Sequence, residues 1–205
     1  MERVLRVCVV QVVVAALGCA VLIGCGGSSA AGPGADAGGD GSTGMDGGNP
    51  PGSKRVFVTA TAYSGNLAGS AGADTICMAA AEAVSLGGRW TSWISTSTSD
   101  AFSRVQEVGP WYLLDGTMVF ANKANFRTMP LVPINITERG TTPSGRVWTG
   151  TVSGAIHSEK DCQGFSTADT SILGTVGASP SVQNWTDNAS PESCQSTGSI
   201  YCIEQ

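Results

Sequence analysis

Gly72-Ala73-Asp74-Thr75-Ile76-Cys77 leads into a stretch in which Ile76, Cys77, Ala80, Ala81 and Val84 recur at helical spacing, closed by Gly87-Gly88. Apolar side chains three and four apart share one helix face, alanine is the best helix former, and glycines end helices. The stretch predicts a helix that turns Cys77 toward a core. Outward from it, Arg55-Val56-Phe57-Val58-Thr59-Ala60-Thr61 is β-branched and aromatic and is punctuated by Gly65-Asn66, which predicts an opening strand. Downstream, Trp90 to Ser95 predicts a short strand, and Ser99 or Asp100 is placed to cap a brief second helix carrying Phe102 and Val105.

Beyond this point the chain reads as strands and loops. Trp111-Tyr112-Leu113-Leu114, Asp115-Gly116 and Thr117-Met118-Val119-Phe120 form a hairpin pattern, because glycine accepts the positive φ that a two-residue turn demands. Arg146 to Thr151 and Ser199 to Ile203 predict further strands. The segment between Cys162 and Cys194 has little periodicity and predicts a long loop held by the cysteines at its ends.

The N-terminal residues 1–24 read as an export signal. Arg3 and Arg6 precede an apolar run that ends in Leu22-Ile23-Gly24-Cys25, a pattern that resembles the lipobox of bacterial lipoproteins. The Cys25 thiol is the expected acylation site and the link to a lipid bilayer. Ala16-Leu17-Gly18-Cys19 lacks the leucine that Leu22 supplies, and the apolar run is also about long enough for a transmembrane anchor. Both readings place the remainder in an oxidising space outside the cytoplasm. Gly26 follows Cys25 where an aspartate would favour inner-membrane retention, so the expected location is the outer membrane, with the domain periplasmic or surface-exposed.

Residues 25–53 continue as a tether of Gly, Ala, Ser, Asp and Pro in which Met45 is the one large apolar side chain. Such a segment has too little to bury to offset the entropy of ordering, and a Gly-rich coil of this length reaches roughly 30 Å. Residues 54–205 then suit one domain with one core. Their acids and bases are dispersed in a chain of net charge −5, which argues against a nucleic-acid partner. With Cys8 and Cys19 lost with the signal and Cys25 acylated, Cys77, Cys162, Cys194 and Cys202 remain, an even set that implies two disulfides in an exported domain. A structural zinc site normally has a close-spaced ligand pair, and these four have none.

Taken together, Gly72 to Cys77 before a helix, Trp93-Ile94-Ser95, Val147-Trp148-Thr149-Gly150, the Cys162 and Cys194 pair and Tyr201-Cys202-Ile203-Glu204 resemble the endostatin-like branch of the C-type-lectin-like fold. Within it the resemblance is closest to a domain of unknown function carried by bacterial lipoproteins. It implies an α+β domain with two helices, twisted antiparallel strands, long loops and two nested disulfides, Cys77 to Cys202 and Cys162 to Cys194. Sugar-binding lectins of this fold hold calcium through a Glu-Pro-Asn or Gln-Pro-Asp loop and a Trp-Asn-Asp strand. Neither is intact here: Trp185-Thr186-Asp187-Asn188 carries an extra residue, and Glu159-Lys160-Asp161-Cys162 matches only the region after the missing loop.

Trp185, Asp187 and Asn188 are therefore the candidate ligand-binding residues, with a core aromatic and two turn formers as the alternative reading. The endostatin zinc site needs several histidines and His157 is the only one, so no metal and no cofactor is expected. With no Gly-x-Ser-x-Gly elbow and no paired-histidine motif, His157 reads as an exposed loop residue without a catalytic partner. The expectation is a tethered, non-catalytic binding or adhesion domain for a glycan, matrix or envelope-protein ligand, independent of calcium. The alternatives are an envelope hydrolase using His157 or a carboxylate pair, and a calcium-dependent glycan-binding lectin.

Overall fold

A computed structural model describes residues 49–143 and 145–205. The stretch read as an export signal, the expected acylation site Cys25 and most of the expected tether lie outside the described residues. The β-branched run forms β1 (Lys54–Val58), and the alanine-rich segment forms α1 (Gly69–Glu82). Then come β2 (Trp90–Ser92), a short helix α2 (Ala101–Arg104) and a hairpin of β3 (Trp111–Tyr112) and β4 (Met118–Phe120), whose turn centres on Leu114-Asp115 rather than on the expected Asp115-Gly116, since the Gly116 N–H donates to the Leu113 carbonyl. A 3-10 helix follows at Lys123–Arg127, then β5 (Arg146–Trp148) and a second, smaller hairpin of β6 (Thr151–Val152) and β7 (Ile156–His157). The chain continues through a helical turn α3 (Cys162–Phe165), β8 (Leu173–Gly174), β9 (Val176–Ala178), β10 (Glu192–Ser193) and β11 (Ser199–Glu204).

Ala73, Cys77 and Ala81 are the buried face of α1, four residues apart as a helix requires. The stop differs from the expected Gly87-Gly88. Ser85 takes a left-handed φ of 57°, the Leu86 N–H donates to the Ala81 carbonyl and the Ser85 N–H to that of Glu82, both at 3.0 Å. This closure satisfies the last carbonyls before the glycines are reached.

The main sheet has seven strands. Six follow the order β4-β3-β1-β11-β5-β9, and β2 also pairs with β11. β11 is its hub: β1 lies antiparallel along one edge, while β2 (antiparallel) and β5 (parallel) share the other. The sheet is thus mixed rather than antiparallel, since β1 with β3 and β11 with β5 run parallel. The sequence between β1 and β3 holds α1, β2 and α2, enough chain for the crossover that parallel pairing needs.

Alternation along the strands divides the interior into two layers. Val56, Val58, Tyr201, Ile203 and Val147 face an aromatic cluster that includes Trp93, Trp111, Phe120, Phe126 and Trp185. Phe57, Ile200, Cys202 and Trp148 face α1 and both disulfides. All six residues of β11 are buried, as expected of a strand covered on both faces. Each of the five tryptophans donates its indole N–H to a partner, Trp185 to the Thr128 carbonyl at 3.3 Å and Trp93 to Thr186 Oγ1 at 2.8 Å. Tyr201 is different: its hydroxyl is buried with no hydrogen-bond partner among the described residues.

The disulfides join Cys77 on α1 to Cys202 on β11, across 125 residues, and Cys162 to Cys194, across 32. At the second bridge, Gly65 and Gly174 pack so closely that a Cβ on either would collide with Cys162 Sγ. On the α1 side, Arg104 clasps the Asp74 carboxylate at 2.5 and 2.6 Å and donates to the Ile94 carbonyl, tying α2 to α1 and to the chain after β2. Both core layers and both disulfides are contained within 54–205, so this segment carries its own core.

Candidate functional site

The most unusual backbone in the chain begins at Asp161. Cys162, Gln163, Gly164 and Phe165 follow one another with φ of 53°, 55°, 68° and 58°. Left-handed backbone costs an L-residue roughly 1–2 kcal/mol, and single residues rather than runs normally adopt it. Four contacts hold the turn in place. The Phe165 N–H donates to the Asp161 carbonyl and the Ser166 N–H to that of Cys162; the Phe165 ring is fully buried, and Cys162 is bonded to Cys194. Asp161 caps the turn by accepting from the Gly164 N–H at 2.9 Å.

The other oxygen of the same carboxylate lies 2.9 Å from His157 Nε2. His157 is therefore not the exposed, unpartnered loop residue expected from sequence. It ends β7, its side chain is 22% exposed, and its ring is held by a carboxylate that is 9% exposed. Its own N–H donates to Asp100 Oδ1 at 2.8 Å. That contact occupies the carboxylate expected to cap α2, which makes no side-chain cap.

His157 lines a hollow of about 390 Å³ together with Val152, Ser158, Glu159, Lys160 and Asp187, with Thr175, Ala189 and Pro191 closing the rim. Its floor is rigid: Ser158 Oγ and Thr175 Oγ1 are 2.6 Å apart, and the Thr175 N–H donates to the Lys160 carbonyl at 2.7 Å. The far wall is set by local turns. Asp187 Oδ1 accepts from the Ala189 N–H and Asn188 Oδ1 from the Ser190 N–H, each a side chain bonded two residues on. The Asn188 N–H fastens the wall to β9 through the Val176 carbonyl.

The three residues singled out by the resemblance thus part company. Asp187 lines the hollow, and Asn188 shapes the adjoining turn. Trp185 is corrected outright: it is fully buried between Trp93, Phe120, Phe126 and Tyr201 and has no face to offer a ligand. Trp185 lies in a turn segment rather than a strand, and the turns in which Asp187 accepts from the Ala189 N–H and Asn188 from the Ser190 N–H carry the chain away from the core. His157, expected as an exposed loop residue or as the base of the hydrolase alternative, lines the site, and Glu159 and Lys160 join it from the stretch matched only to the region after the missing loop. The spacing Asp161-x-x-Gly164 is a capping pattern, but the separation of four positions from His157 to Asp161 signals a contact only in a helix.

Chemically the hollow offers carboxylates from Glu159 and Asp187, an ammonium from Lys160 and an imidazole held by Asp161. Ser158 Oγ also accepts from the Lys160 N–H at 3.2 Å, so this hydroxyl is committed on two sides. At the edge of the same loop, Ser171 donates from its hydroxyl and its N–H to Asp169, and this lowers the carboxyl pKa below its usual value. Among the described residues no three His, Cys, Asp or Glu side chains are grouped to hold a metal ion, and no helix is long and apolar enough to cross a membrane.

No protein-family model matches this chain, and no curated protein matches it.

Proposed function

We propose that this chain is an envelope lipoprotein, anchored through acylated Cys25 in the outer membrane, whose C-type-lectin-like domain of the endostatin-like branch binds a ligand without chemistry and without calcium. The observation that carries the reading is the hollow beside β7. Its polar lining sits on a floor tied to β9 and stapled by Cys162 to Cys194, so it is pre-formed, and pre-formed hollows with a few placed polar groups are characteristic of ligand sites. The opposed charges of Lys160 and of Glu159 and Asp187 suit a polar partner such as a glycan or a hydrophilic segment of a matrix or envelope protein.

A glycan and matrix-protein array probed with the oxidised domain, with and without chelator, tests this. Binding should survive chelation and fall at least tenfold in Lys160→Ala and Asp187→Ala. Binding that disappears with chelator would move the reading to a calcium-dependent lectin. One observation favours a second reading, the envelope hydrolase: His157 Nε2 contacts a buried carboxylate, as a general base does. Against it, the neighbouring Ser158 hydroxyl is engaged by Thr175 and Lys160 rather than by His157. Turnover of an array ligand that is lost in His157→Gln would establish that reading.

A further inference from the structure

We propose that the face formed by α2, the 3-10 helix and β7 is a membrane-contact surface that seats on anionic phospholipid. Among the described residues four large apolar side chains stand exposed: Leu131 at 63%, Ile156 at 58%, Met129 at 52% and Leu173 at 40%. Contacts join the elements beside the first three. Lys123 Nζ and Arg127 Cζ lie 4.8 and 4.1 Å from the centroid of the Phe102 ring, which fastens the 3-10 helix to α2. Asp100, at the head of α2, accepts from the His157 N–H beside Ile156. Met129 and Leu131 follow directly from the 3-10 helix, whose Phe126 is buried in the aromatic cluster while Arg127 points outward.

Charge selects the occupant. The chain is acidic overall, yet from Gly116 to Thr137 it has no Asp or Glu and its charged residues there are Lys123 and Arg127, while the carboxylate of this face at the head of α2, Asp100, is engaged by the His157 N–H. Two cations beside protruding Leu, Met and Ile side chains are complementary to an anionic headgroup layer over hydrocarbon. A surface formed for a neutral polar partner would need neither. The cations are also held in place, because the Phe102 ring under both of them is itself packed against the core. The tether reading explains only why a bilayer is near; the surface is defined without it.

The test is co-sedimentation of the oxidised segment 49–205, which lacks the acylation site, with vesicles of phosphatidylcholine alone or with phosphatidylglycerol. Partitioning should be at least tenfold stronger on the anionic vesicles, and each of Lys123→Gln and Arg127→Gln should reduce it roughly fivefold. Met129→Asn with Leu131→Asn should abolish it, while Leu173→Asn, on β8, should leave it unchanged. Equal partitioning on both vesicles, no partitioning, or an equal loss in Leu173→Asn would overturn the proposal, as would concentration-dependent self-association through these residues without vesicle binding. Any of these leaves the tether reading standing, because that reading rests on Cys25.

Discussion

The half of the domain built on α1, β1 and β11 and the half between Thr149 and Cys194 contribute to one shared core layer by different means. The first is regular: β1 pairs with β11 over three registered positions, and α1 lies across them with Cys77 bonded to Cys202. The second has strands of two or three residues, a left-handed turn and a disulfide wedged between glycines. Ladder hydrogen bonds and helix packing support the first half even where a single link is removed. In the second, individual links carry the shape, and the hollow is found there. The difference teaches that a hollow with fixed walls is obtained with little regular structure, by concentrating covalent and side-chain restraints on a few residues.

Removing the disulfides one at a time tests that contrast most strongly. From loop lengths of 125 and 32 residues, the chain-entropy relation gives a loss of about 5 kcal/mol for Cys77→Ala with Cys202→Ala and about 4 kcal/mol for Cys162→Ala with Cys194→Ala. Denaturant melts read both totals. Hydrogen exchange should separate them: loss of the inner bridge should deprotect 160–178 while β1 and β11 stay protected. Uniform deprotection in that variant would break the comparison.

Trp185→Ala should cost about 3–4 kcal/mol by thermal or chemical melting, as expected for a fully buried ring. A merely surface role would leave stability unchanged. Asp161→Ala should cost about 1–2 kcal/mol, because it removes the cap on Gly164 and the partner of His157 together. NMR line shapes in 157–166 should broaden in this variant, and a rigid loop there would show that the disulfide alone sets the turn.

The regular half supplies the smallest effect, and it is a gain. Tyr201→Phe should raise stability by about 1 kcal/mol, because the buried hydroxyl lacks a partner. Burial raises the phenol pKa far above its ordinary value of 10.0. The unfolded chain therefore ionises Tyr201 above pH 10 while the folded chain keeps it neutral. Stability is therefore independent of this ionisation below pH 10 and falls as pH rises further, by about 1.4 kcal/mol per unit, and melts of Tyr201→Phe should lack that loss.

What could be read beforehand follows the same division. The buried face of α1, the hairpin around Asp115-Gly116 and the strands at Arg146 and Ser199 were legible because they span enough residues to show a period or contain a turn signal. β8, β9 and β10 are too short to show alternation, so 162–194 read as loop although β9 joins the main sheet. The helix stop was misplaced because Ser85, which seldom takes a positive φ, did so ahead of two glycines. Parallel pairing of β11 with β5 is a long-range choice with no local mark. In the site, Asp187 was legible through its motif, whereas His157 and Asp161 meet only because β7 turns back toward α3.

In the order of synthesis, β11 follows every strand it pairs with, and β1, β2 and β5 have no common partner until it appears. A chain emerging from a ribosome or threading through a membrane pore therefore cannot complete this sheet early. The hub arrives last, and the long separations it must close make folding a post-emergence event rather than a progressive one. An architecture whose shared strand is made after all its partners delays closure of the main sheet until that strand has emerged.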